Sequence, residues 1–324
     1  MGRLRLGAAA RLTMPRLNAL RKLLGCLPAP GKRVVIAVSY LWLLVFFLAP
    51  FAVMLYISLV DQGENPTPFI PLWDASGPRI RLENYWSIVV NSHSGVWFDT
   101  IYLTAYAQSI GYALASALLC LAIGYPFAYA MARARPNHRA MLLLLVMLPF
   151  WTSFLLRIYA WKGLLADYGF INNLLRGAGL IDQPIPMLYN DAAILIGMTY
   201  VYLPFMVLPL YATLVRMDAS LLEVARDLGA SPLHAFRLVT LPLSRPGMVA
   251  GTMLVFIPCV GEFVIPSLLG GVDNLMIGRV VWDEMFTSNN WPRANALAIV
   301  MILLLVIPLI CYYRMESARE RRRA

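Results

Sequence analysis

The sequence predicts an all-α integral membrane protein with six transmembrane helices and both termini in the cytoplasm. Three observations carry that prediction. Of 324 residues, 60% are hydrophobic and only 14% are charged, whereas a soluble domain keeps about 25% charged residues to cover its surface. Six mostly apolar stretches, 34–60, 99–131, 141–161, 192–215, 247–270 and 294–313, reach the length of about 20 residues that a bilayer-spanning helix needs. The net charge of +10 is segregated between alternate loops, which is the pattern that orients a membrane protein. Disordered, collagen-like and disulfide-framework classes are excluded by the same composition.

Taken in order, residues 1–33 form a basic segment holding Arg3, Arg5, Arg11, Arg16, Arg21, Lys22, Lys32 and Arg33 and no acid. The apolar run at 34–60 is longer than the signal-peptide core of about 7–15 residues, so it reads as a first span. Loop 61–98 balances Asp61, Glu64, Asp74 and Glu83 against Arg79 and Arg81. The second span carries Thr104, Gln108, Ser109, Gly111, Ser116 and Gly124. That composition suits a helix packed inside protein, with small residues such as Gly111 and Ala115 allowing close approach. Loop 132–140 is basic through Arg133, Arg135 and Arg139, and the tail 314–324 ends Arg319, Arg321, Arg322, Arg323. Loop 271–293 is again acid-balanced. With six spans, every basic segment falls on one side, the cytoplasm. The positive charge is then a topological label rather than a nucleic-acid footprint.

Pro126, Pro149, Pro204, Pro209, Pro258, Pro266 and Pro308 lie in or at the ends of spans and predict kinks. Cys26, Cys120, Cys259 and Cys311 are scattered, as are the three histidines, so no metal site and no catalytic constellation is expected.

Loop 216–246 is the one cytoplasmic connection with internal structure. Ser220 followed by Glu223 has capping-box spacing, which predicts a short helix that Gly229 ends in the left-handed conformation. Ser231-Pro232 then starts a second helix, and Leu241-Pro242 closes it. The pair is amphipathic and presents Leu228, Leu233 and Phe236.

Here a resemblance enters. Glu223-x-Ala225-x-x-x-Gly229, followed ten residues later by Val239-Thr240-Leu241-Pro242, resembles the EAA loop of ABC-importer permeases, with Val224 in place of the second letter and Val239 in place of isoleucine. The resemblance implies that 216–243 is a coupling loop docking in a cleft of an ATPase subunit, through Glu223, Ala225, Asp227, Gly229, Ser231, Leu241 and Pro242. The stretches 148–165, 202–216, 251–271 and 276–286 are similar to the permeases of polyamine importers, nearest to the putrescine type, and the likeness covers roughly residues 34–313.

What it implies is a type I ABC-importer permease in a bacterial inner membrane, with a five-helix core at 99–313 and a first helix that packs on the partner. The implied partners are a second homologous permease in a heterodimer, two ATPase subunits holding ATP and Mg, and a periplasmic polyamine-binding protein. Gly25-CLPAP-Gly31-Lys32-Arg33 falls short of a phosphate loop in spacing and lacks the Ser or Thr for magnesium, so no ATP hydrolysis is expected in this chain. A spermidine or other small-solute permease remains open within that family. A stand-alone secondary transporter remains open outside it, and would need no docking loop.

A dication crossing the membrane needs carboxylates or aromatic faces. Glu262 is the acid well inside a span, beside Pro258, Gly261 and Pro266, about 22 Å from the cytoplasmic end at 1.5 Å per residue. It either lines the substrate pathway or pairs structurally with Arg157, which the count places at similar depth. Tyr106, Tyr200 and Tyr202 are the candidate aromatic faces, with Tyr102 and Tyr211 beside them. Asp99 and Asp167 lie at the periplasmic ends of spans.

Overall fold

The computed structural model describes residues 30–321 except 64–66, 72, 75, 76, 79, 91–99 and 219. Most of the basic segment 1–33, together with Glu64, Arg79, Asp99 and the tail beyond Arg321, lies outside the described residues. The chain divides into two compact units, 1–56 and 57–324.

The first unit holds α1 (Pro30–Leu43), a π-turn (Leu44–Leu48) and most of α2 (Ala49–Ser58). Together Ile36–Ser58 is long and apolar enough to span a bilayer. Its apolar side chains stand exposed, Trp42 and Phe46 among them, with ring centroids 4.0 Å apart.

The second unit opens with a small antiparallel hairpin, β1 (Trp73–Asp74) and β2 (Gly77–Pro78), and the short helix α3 (Glu83–Trp86). The helical body follows. It consists of α4 (Thr100–Arg133), α5 (Pro136–Met147), α6 (Phe154–Leu165), α7 (Phe170–Gly177), α8 (Asp191–Leu214), α9 (Ser220–Asp227), α10 (Pro232–Ala235), α11 (Leu241–Leu243), α12 (Arg245–Val260), α13 (Val264–Leu269), α14 (Ile277–Phe286) and α15 (Trp291–Arg321).

The six expected apolar stretches are all helical, but two of them are not rods. The third breaks after a 3₁₀ turn at Leu148–Trp151, and its two halves meet at 86°. Pro149 supplies no backbone donor, and Thr152 and Ser153 are extended, so the helical ladder restarts only at Phe154. The fifth stops at Val260, after Pro258 and at Gly261, and resumes as α13. By length and composition three helices can cross a membrane, or up to five if each bent pair is one span, and α15 adds a shorter apolar run, Trp291–Ile307.

The core lies where α4, α8 and α12 pack on one another. Glycine sets how closely they approach. A Cβ at Gly251 would meet Met206 Sδ at 2.7 Å, and one at Gly247 would meet Thr213 Oγ1 at 2.5 Å and the Pro209 carbonyl at 2.9 Å. Of the three long apolar helices, α8 is the most enclosed by this chain and α4 the next. The second span packs inward along one face. Its small and polar residues, Ser109, Ser116 and Gly124, face the bundle, while Leu114, Leu118 and Phe127 face out. Gly111 meets nothing within 4 Å.

Candidate functional site

The loop between α8 and α12 folds as two short helices. Ser220 is the first helical residue, but the capping carboxylate is that of Asp218, which accepts a hydrogen bond from the Ser220 amide at 3.0 Å. That bond holds the Asp218 carboxyl below its ordinary value. Gly229 has φ +85°, and the amides of Gly229 and Ala230 donate to the carbonyls of Arg226 and Ala225, the paired closure of a Schellman motif. Ser231 caps α10 by accepting from the His234 amide at 3.3 Å.

The helix does not close at Leu241-Pro242. It runs on through a wide π-turn, Phe236–Thr240, and α11 before bending by 62° into α12. Leu228 is 83% exposed and Leu233 59%, and Glu223, Asp227 and Gly229 are exposed beside them. Phe236 faces the other way. Its ring stands edge-on to Tyr125 and Tyr129, both 5.7 Å between centroids, and Tyr125 shares a 2.9 Å hydrogen bond with Ser244. The loop thus presents leucines outward while an aromatic joint fixes it to the end of α4.

The second candidate region is the break between α12 and α13. Tyr202 of α8 donates a hydrogen bond to Glu262 Oε2, and Glu262 Oε1 accepts from the amides of Val264 at 3.0 Å and Ile265 at 3.4 Å. The carboxylate therefore caps α13, whose first amides have no partner in the helix itself. The break is pressed from outside by α14, where a Cβ on Gly278 would fall 2.4 Å from the Gly261 carbonyl oxygen. Glu262 and Tyr202 are both buried.

Arg157 is not part of this arrangement. Its Nε and Nη1 are buried without a hydrogen-bond partner, and its guanidinium lies over the Phe150 ring at 5.2 Å. Glu262 is bonded instead to Tyr202 and to the amides of Val264 and Ile265, so Arg157 and Glu262 do not pair. Depth counted along the chain assumed an unbroken third span, and the break at Thr152–Ser153 voids the count.

Of the three tyrosines, Tyr106 is buried and donates to the Leu297 carbonyl at 2.7 Å. Tyr200 is the open one, resting edge-on against Trp161 at 5.5 Å. Two groupings escaped the sequence reading. Phe263 stacks on Trp282 at 4.8 Å, with Phe286 beyond, along the outer edge of the break; the four-residue spacing of Trp282 and Phe286 was the available signal. Asn274 ties Asp191 to Tyr112 and accepts from the Gly271 amide, a network joined across long sequence separations.

Residues 23–323 match the family model described as binding-protein-dependent transport system inner membrane component. The chain belongs to this family. Among its relatives, the spermidine/putrescine transport system permease protein PotB of Haemophilus influenzae is 37% identical over 90% of this chain and 96% of that protein. The PotB protein of Escherichia coli is 36% identical over 83% of this chain and 95% of that protein. Among solved structures, a bacterial ABC transporter involved in import of the acidic polysaccharide alginate matches with TM-score 0.66 at 15% identity, covering 93% of this chain and 98% of that one. The inward-facing MetNI methionine ABC transporter matches at TM-score 0.52 and 17% identity, over 67% of this chain and 95% of that one. At those identities the structural matches establish a shared fold.

Proposed function

We propose that this chain is the permease subunit of an ATP-driven polyamine importer of a bacterial inner membrane, with putrescine its foremost substrate and spermidine the alternative. The observation that carries the reading is the 37% identity, over nearly the whole chain, to a spermidine/putrescine permease. The loop geometry agrees with it. A helix with exposed Leu228, a rigid glycine closure and a second helix with exposed Leu233 is a surface lacking its counterpart.

The partners are a second homologous permease, two ATPase subunits that hold ATP and Mg, and a periplasmic polyamine-binding protein. This chain then performs no hydrolysis of its own. Movement of the ATPases acts on Glu223, Ala225 and Gly229, and passes through Phe236 and Ser244 into α4 and α12. Glu262 with Tyr202 holds the break in the fifth span, and Tyr200 offers an aromatic face to an ammonium group.

The test is uptake of labelled putrescine and spermidine into proteoliposomes, with the chain alone and with its full set of partners. Uptake is expected only from the complete complex, with ATP and the binding protein. Uptake by the chain alone would identify a secondary transporter, and transport of a different solute by the full complex would overturn the polyamine assignment.

A further inference from the structure

We infer that a pocket at the ends of α4 and α8 binds the phosphate of an anionic phospholipid headgroup. The cavity, about 170 Å³, opens between Tyr129 and Arg133 of α4, Arg139 of α5, Leu214 and Met217 at the end of α8, and Leu222 of α9.

It contains two cations and no anion. Arg133 lies over the Tyr129 ring at 5.0 Å, and Arg139 Nε donates to the Ala134 carbonyl at 2.9 Å. Neither forms an ion pair among the described residues. A guanidinium carries five donors in a planar fork matched to phosphate, and these contacts leave most of them unused.

The walls favour a lipid over a soluble phosphate. Tyr129, Leu214 and Leu222 are aromatic or apolar, and the first two belong to the last turns of membrane-spanning helices. On the face of α4 that leads to the pocket, Leu118, Ala122 and Pro126 are exposed. Their spacing continues through Tyr129 to Arg133 as successive turns of one helical face, a track for an acyl chain that free phosphate would not use. The side of the membrane rests on the topology proposed above, which puts this end in the cytoplasmic leaflet, where basic pockets between spans take anionic headgroups. Leu222 is the buried side chain of α9, so a bound headgroup touches the coupling helix from beneath.

The test uses the purified complex in nanodiscs of phosphatidylcholine with and without phosphatidylglycerol, with lipid retention read by native mass spectrometry during detergent washing. The wild type should hold phosphatidylglycerol after bulk lipid is lost. The Arg133→Gln/Arg139→Gln variant should weaken that retention about thirtyfold, the single Arg139→Gln change less, and inorganic phosphate should not compete. Equal retention by wild type and variants overturns the inference, as does displacement by inorganic phosphate alone. Loss of the ATPase subunit with lipid retention unchanged would likewise overturn it, by assigning the arginines to a protein carboxylate. Because lipid retention is read without any transport step, a complex that carries some other solute still gives a clear result. Should the double change impair insertion, Arg139→Gln alone decides the outcome.

Discussion

Asp218 and Glu262 perform the same chemistry in two different solvents. Each is a carboxylate just before a helix, and each accepts a hydrogen bond from the amide two residues on. Asp218 stands in water at the start of the loop between α8 and α12; Glu262 is buried, and takes the Tyr202 hydroxyl and a second amide as well. In water an exposed cap competes with solvent and contributes little, whereas a buried one leaves every partner stranded when it is removed. The loop therefore has local order but an incomplete outer surface, while the break is complete within the chain.

The comparison is broken most severely at Glu262. Glu262→Ala should destabilise the protein by about 3–5 kcal/mol, since a hydroxyl and two amides are left without a buried acceptor; thermal unfolding in detergent measures it. A variant as stable as wild type would show that the break is hydrated and that the two regions do not differ. Tyr202→Phe should cost about 1.5–3 kcal/mol by the same measurement, because it deletes one hydrogen bond to the carboxylate while keeping the ring. Next comes Gly229→Val in the loop. A left-handed φ costs a non-glycine residue about 1–2 kcal/mol, so α9 should lose its closure. Polyamine uptake should fall while the yield of assembled complex stays the same, and normal uptake would count against a coupling role.

The smallest effect is the pH response of Asp218. Its carboxyl is held below the ordinary value, so the cap's contribution is fully present above the unfolded pKa of about 3.9 and is lost as pH falls through the lower folded value. Hydrogen exchange across 220–227, corrected for intrinsic rates, should be flat from pH 8 to about 5. Loosening near pH 6 would contradict this assignment of the cap.

The sequence revealed features governed by neighbours a few residues away. Gly229, Ser231 and the extents of the apolar runs were legible because capping and span length are local properties. The 86° break was not, because proline shows where a helix is weakened but not how far the chain turns afterwards. Pairing Arg157 with Glu262 depended on that missing angle. Phe236 fitted an amphipathic outer face in sequence, yet it turns inward because two tyrosines on α4 wait for it, and Glu262 found its partner on α8, far away in sequence. The position of the acid was legible; its bonding was not.

The π-turn at Phe236–Thr240 sets where the direction of the loop depends on residue count. A π-turn accommodates one residue more than an α-turn, and each residue of a helix rotates the next by about 100°. Because the wide turn absorbs that extra residue locally, the segments on either side keep nearly the heading that an unbroken α-helix would give them. Deleting one position within 236–240 should let the turn close to ordinary pitch with Leu228 and Leu233 still facing as they do. Deleting one from the regular turns of α12 would instead rotate the whole loop by about 100° around that axis, so the wide turn is the one place in this stretch where a single-residue loss is absorbed.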